Sequence, residues 1–291
     1  MNPNRRTLWW TFCAFATAAG VWGAEAPRVV IPREHHAWAR FMPGSWSKVK
    51  KWTEELDEQG KVKSASTTET KTTLVEVDDT GCTLQMDVTV EMAGKRFNAA
   101  PRQIRVGFDG STNGAITEFR KVGEAALDLG GKAVSCATLE NITTNADTRT
   151  VSRLHYSATV PPFILRRELV TTGADGKQVL EQITMDAVAL EMPQKVLTEL
   201  LPAAHVRTVQ KQPNSSTFTL EVICVDVPGG VVAHASKDMD PSGKLVRRST
   251  LELLDYGVAT SAEAARRGYI FQHSRMRRTQ VPTRTRTSGG R

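Results

Sequence analysis

The residues whose types and spacing come nearest to a chemical site are Asp238, Asp240, Ser242 and Gly243. Their Asp-x-Asp-x-Ser-Gly order matches the opening of a calcium loop, in which closely spaced oxygens share one hard cation and glycine permits the sharp turn. The twelfth position of such a loop is Ser249, so no bidentate acid closes the shell, and the pattern reads as a hairpin turn. His35 and His36 offer two imidazoles, yet neighbours on a helix point to different sides and no carboxylate motif accompanies them. His155, His205, His234 and His273 stand singly and read as structural or exposed. In the stretch Gly110 to Gly114 the serine follows the first glycine directly, which fits a surface turn rather than a nucleophile. The chain has no Gly-x-Ser-x-Gly, phosphate-binding glycine loop, dinucleotide fingerprint or His-Glu-x-x-His. No metal site, cofactor or catalytic residue is expected from it, and whether the protein is an enzyme stays open.

Cysteine and charge narrow the setting. Arg5 and Arg6 precede an apolar run from Leu8 to Val21 and then small residues, the layout of a signal peptide over residues 1–23. Export to the periplasm or the extracellular space is the expectation. Removal of Cys13 with that segment leaves Cys82, Cys136 and Cys224, an odd number that allows one disulfide with a free thiol, although each lies inside a strand-like run and reads first as a small buried hydrophobe. The formal charge of +7 is concentrated at one end: from Arg266 to Arg291 there are eight arginines and no acid, so the rest of the chain sums to 7 − 8 = −1. This end reads as a solvated basic tail, able to attach to anionic lipid or envelope polymer. No aromatic platform interleaves its arginines, so no nucleic acid is expected as a partner.

The elements that must carry these residues are strands. Residues Cys82, Leu84, Met86, Val88, Val90 and Met92 alternate with Thr83, Gln85, Asp87, Thr89 and Glu91, placing every apolar side chain on one face. A long strand with one polar face belongs to an antiparallel sheet wetted on one side. Asp57 to Gly60, Asp78 to Gly81, Asp128 to Gly131 and Asp240 to Gly243 each form an Asp-x-x-Gly step, in which aspartate accepts a backbone hydrogen bond and glycine reverses the chain. Gly81 and Gly243 are expected at positive φ. About a dozen strands follow, making a mainly β fold of large curved antiparallel sheet built of hairpins, with two or three short helices. Those helices are expected at Arg33 to Phe41, to plug an open end of the sheet, at Pro193 to Leu201, and at Thr260 to Gly268. Trp38, Phe41, Trp46 and Trp52 are the candidate lining of a ligand site in the concavity.

Val160-Pro161 precedes Gly176-Lys177 by the interval that separates Val227-Pro228 from Gly243-Lys244, which suggests an internal repeat joined by a linker at Gln210 to Ser216. The expected organisation is a signal peptide over 1–23, an antiparallel β region over 24–209, a second β region over 210–259 that repeats 155–190, and a short helix with a basic tail over 260–291. The segments GSWSKVKK (44–51), STTETKTTLVEVDDTGCTL (66–84), VTVEMAGKRF (88–97) and the Val-Pro-Gly-Gly strand entry at 227–230 resemble uncharacterised exported bacterial β-repeat proteins. In layout the hairpin ladder is similar to lipoprotein carriers of the LolA and LolB kind. That resemblance implies a curved sheet that holds acyl chains against an inner helix, and it transfers no site onto numbered residues. Three functions are therefore carried forward. The first is an exported, non-enzymatic envelope protein that binds an apolar ligand or a partner segment in the curved sheet. The second is an envelope assembly module without a small ligand, and the third is a hydrolase with an unrecognised site.

Overall fold

A computed structural model describes residues 31–108 and 116–260. Fourteen strands follow one another as β1 (Trp46–Leu56), β2 (Val62–Val77), β3 (Gly81–Met92), β4 (Lys95–Asn98), β5 (Arg102–Gly107), β6 (Ile116–Leu129), β7 (Lys132–Thr144), β8 (Thr148–Tyr156), β9 (Ile164–Gly173), β10 (Val179–Val196), β11 (Glu199–Gln212), β12 (Ser215–Ile223), β13 (Val231–Met239) and β14 (Leu245–Gly257). They form one antiparallel sheet in the order β4-β3-β2-β1-β14-β13-β12-β11-β10-β9-β8-β7-β6, with β5 also pairing β3. The sheet does not close: β6 is one edge, and β4 and β5 share the other. Nearly every pairing joins consecutive strands, and the exceptions are β3 with β5 and β1 with β14, in which Trp46 faces Gly257.

The two helices expected within the described residues, Arg33 to Phe41 and Pro193 to Leu201, are absent. Among the described residues there is no α-helix, and the helical content is one 3-10 turn, Arg33–His35. Thr260 to Gly268 lies outside the described residues apart from Thr260. Pro193 to Leu201, with its apolar stripe, is instead the end of β10, a tight turn and the start of β11, with Pro193 directly opposite Pro202. Strand pairing here overrides a local stripe that is too short to hold a helix by itself. Gln210 to Ser216, expected as a linker, is the hairpin between β11 and β12, with Gln212 opposite Ser215.

The turn chemistry is as the aspartates suggest, with one difference of cause. Asp240 Oδ1 accepts from the backbone N–H groups of Ser242 and Lys244 at 2.9 and 3.0 Å, and Gly243 takes a φ of 83°. Gly81 does not adopt positive φ. A β-carbon there would press on the Val106 carbonyl oxygen and lie 3.0 Å from Gly107 Cα, so close approach of β5 is what requires glycine.

Curvature follows from the segment that precedes β1. Ile31 packs with Leu139, Leu154 and Tyr156 of β7 and β8, while Ala39 and Phe41 pack with Leu74, Cys82, Leu84 and Phe108 at the β2, β3 and β5 end. His35 and His36 are adjacent in the chain, yet His35 Nδ1 lies 2.6 Å from Tyr156 Oη and the His36 ring is centred 5.5 Å from Phe108. In a flat sheet the nine strand steps from β3 to β8 would span about 43 Å at ~4.8 Å each. The two arms therefore curl toward each other around residues 31–45, which brace one end of the resulting trough. The face toward this segment is called the inner face.

Candidate functional site

The brace is seated on two loops of the same construction. Between β8 and β9, Ser157 N donates to Phe163 O at 2.8 Å and Phe163 N to Val160 O at 2.9 Å. Between β12 and β13, Cys224 N donates to Gly230 O at 2.8 Å and Gly230 N to Val227 O at 2.8 Å. Phe163 and Gly230 both have positive φ, 71° and 79°. Each loop touches the brace: the Phe163 ring stacks on His35 at 4.0 Å, and Gly229 N donates to Ala37 O at 3.0 Å, beneath the Trp38 ring. These are the two Val-Pro bends of the sequence, 67 residues apart.

The four aromatic candidates do not converge. Trp38 and Phe41 lie on the brace, Phe41 buried and Trp38 packed against the same cluster. Trp46 and Trp52 share the opposite, outer face of β1 with Lys48 and Lys50, because register places Trp46 with Thr73 and Trp52 with Thr67, out of phase with the inner Leu74. Lys71 Nζ sits 4.3 Å above the Trp46 ring and Lys50 Nζ 4.9 Å above Trp52, cation–π contacts typical of exposed aromatics. Trp52 lines a shallow pocket of ≈ 250 Å³ with Glu54, Thr67 and Glu91 on that outer face.

The inner face grades from apolar to mixed. Next to the brace it is closed by Leu74, Leu84, Leu139, Leu154, Leu165 and Val232, all buried. Further along, half-buried apolar side chains stand on both arms: Met86, Val88 and Val90 of β3, and Leu169, Ile183 and Met185 of β9 and β10. Polar groups face them. Glu221 and His234 are direct partners across β12 and β13, and Lys51 stands close enough to His234 for its charge to act on the imidazole. Burial pushes the Glu221 carboxyl above its usual range. Burial, with Lys51 adding, holds His234 below its usual range, and among the described residues its buried Nε2 has no hydrogen-bond partner. On β9, Arg167 alternates with the outward Arg166 and Glu168 and so lies in phase with Leu165 and Leu169; its Nε donates to Ser152 Oγ at 3.2 Å.

Sequence reasoning passed over Glu221, Arg167 and Ser152, and it read His234 only as a single structural or exposed histidine. The signal was present for Arg167, which occupies an apolar phase of an alternating strand; for the others no local pattern marks the inner side. The outer face is laced instead by cross-strand ion pairs: Glu140 accepts from Arg120 and Arg153, and Asp186, 9% exposed, from Arg166 and Arg207. The calcium-like run is occupied by protein donors, since Asp238 accepts from Thr217 and Arg247 while Asp240 caps its own turn. Among the described residues no group of three or more His, Cys, Asp or Glu is placed to hold a metal ion. Cys82, Cys136 and Cys224 are buried free thiols, and burial pushes Cys82 up to about 11.

No family model matches the chain, and no curated protein matches it. Among solved structures it is similar to a candidate lipoprotein from Parabacteroides distasonis ATCC 8503, at 10% identity and a TM-score of 0.32, over 75% of this chain and 98% of that one. It is also similar to a candidate exported protein with YmcC-like fold from Bacteroides fragilis NCTC 9343, at 13% identity and a TM-score of 0.31, over 74% and 99%. These names describe those proteins, and at such low TM-scores neither assigns this chain a ligand, a partner or a compartment. Among the described residues no helix is long and apolar enough to cross a membrane.

Proposed function

We propose that this is an exported, non-enzymatic protein of the cell envelope that holds an apolar, chain-like ligand in the trough of its sheet. The observation behind this reading is the row of half-buried apolar side chains, Met86, Val88 and Val90 on one arm and Leu169, Ile183 and Met185 on the other, on the inner side of two arms that the brace joins at one end. A filled core would bury such residues as completely as it buries Leu74 and Leu139. The LolA and LolB carriers supply a parallel in layout, with the difference that a brace of extended and turn structure here takes the place of an inner helix. Pockets of this kind bind by apolar area, with a few polar groups fixing orientation.

The test is titration with the fluorescent apolar probe 1-N-phenylnaphthylamine. Saturable enhancement by the wild-type protein, lost in Val88→Glu at unchanged circular dichroism and melting temperature, is the expected result. Absence of saturable binding sinks the reading and leaves the envelope assembly module; enhancement unaffected by Val88→Glu moves the ligand off the inner face.

A further inference from the structure

Among the described residues, Arg167 is a cation with no counter-charge. The other arginines of the sheet fall into two groups. Arg105, Arg120, Arg153, Arg166, Arg207, Arg247 and Arg248 are ion-paired. Arg96, Arg102 and Arg149 are exposed. Arg167 belongs to neither: it is half-buried, and among the described residues its polar partner is the Ser152 hydroxyl. Ser152 is 1% exposed, and Asn141, opposite it on β7, is also buried, so a polar strip runs across β7, β8 and β9 on the inner face. Leu154 and Met185 flank Arg167 directly in register, and Leu165 and Leu169 precede and follow it on the same face.

A guanidinium stays protonated in a protein even where burial works against it, and for Arg167 burial does lower the pKa, with no acid acting in the other direction. Taking such a charge even partly out of water is unfavourable unless an opposite charge meets it. The sheet had an alternative at hand, because the matching position of the second Val-Pro loop, four residues past Gly230 as Arg167 is four past Phe163, carries His234, which burial holds toward its neutral form. Only the first of the two positions keeps a fixed charge.

We propose that Arg167, oriented by Ser152, binds the oxyanion head group of a long-chain amphiphile whose alkyl chain lies along the apolar rows of the trough. This inference rests on the ligand-binding reading above and adds the chemistry of the head. The planar fork of the guanidinium matches two oxygens of a carboxylate or a phosphate. Ser152 fixes the fork from Nε, leaving both terminal nitrogens to face the ligand. The apolar walls on either side exclude water and strengthen the contact.

Displacement of 1-N-phenylnaphthylamine from the full-length protein by three alkyl chains of equal length tests it: palmitate, hexadecyl phosphate and hexadecanol. Wild type is expected to bind at least one of the two anions about tenfold or more tighter than the alcohol, as a charge-assisted pair of hydrogen bonds supplies. The comparison of palmitate with hexadecyl phosphate tells a carboxylate head from a phosphate one. Arg167→Met, which keeps length and apolar bulk, is expected to abolish that preference while hexadecanol binding and the melting temperature stay unchanged. Equal affinity for anions and alcohol in wild type, or a preference that survives Arg167→Met, overturns the head-group assignment and leaves the apolar trough intact. If no chain displaces the probe, both readings fall.

Discussion

Glu221 and His234 face each other across two strands, and each titrates against its burial in the opposite sense. Burial raises the Glu221 pKa from the usual 4.5, so the fold favours the neutral carboxyl. Its contribution to stability is full below the unfolded value and is lost as pH rises through the raised folded value. His234 is held below the usual 6.5, so its contribution is full above that value and is lost as pH falls toward the folded one. Glu221→Gln is expected to remove the loss on the alkaline side and leave the His234 contribution in place. Urea unfolding of both proteins from about pH 4 to about pH 8 measures it, and parallel profiles would mean that Glu221 is ionised and solvated in the fold. Neither residue was legible as a pair in the sequence, because strand register alone makes them neighbours. The turn aspartates were legible, since Asp57 and Asp240 act on backbone groups only two to four residues away.

At the scale of elements, hairpins and strands were readable because their signals are local: alternation over one strand, aspartate and glycine over one turn. The brace was expected as a helix but is a run of turns, since its shape is set by what it touches rather than by helix propensity. The aromatic candidates were grouped by proximity in sequence, and β-strand alternation then divided them between faces. Phe41 and Trp52 therefore have different expected costs. Phe41→Ala removes a ring buried between the brace and β2, β3 and β5, and is expected to cost about 3–5 kcal/mol. Trp52→Ala takes a half-solvated ring from the outer face and is expected to cost about 1 kcal/mol or less, with probe binding unchanged. Thermal and urea unfolding check both; a large loss of probe binding in Trp52→Ala would place the ligand on the outer face after all.

For the whole molecule, the sequence showed the antiparallel class, and the signal peptide expected over residues 1–23 lies outside the described residues. The curl of the sheet had no local signature: it depends on contacts between arms that are far apart in strand order. The basic end lies outside the described residues, and its proposed role is attachment to anionic surfaces. Deleting residues 276–291 is expected to leave circular dichroism and thermal stability unchanged while abolishing salt-sensitive binding to phosphatidylglycerol vesicles, because screening acts on exposed charges over about 10 Å at ordinary salt. Unfolding on deletion, or no vesicle binding by the full-length protein at low salt, would end that proposal. The pairing of β1 with β14 bears on how such a chain is made. β1 finds its β2 partner within a few residues, but its other partner ends at Gly257, opposite Trp46. A chain delivered from its N-terminus thus presents β1 with one side of its backbone unpaired until the last strand arrives. What is an interior strand of the finished sheet is, for most of the time of synthesis, its open edge.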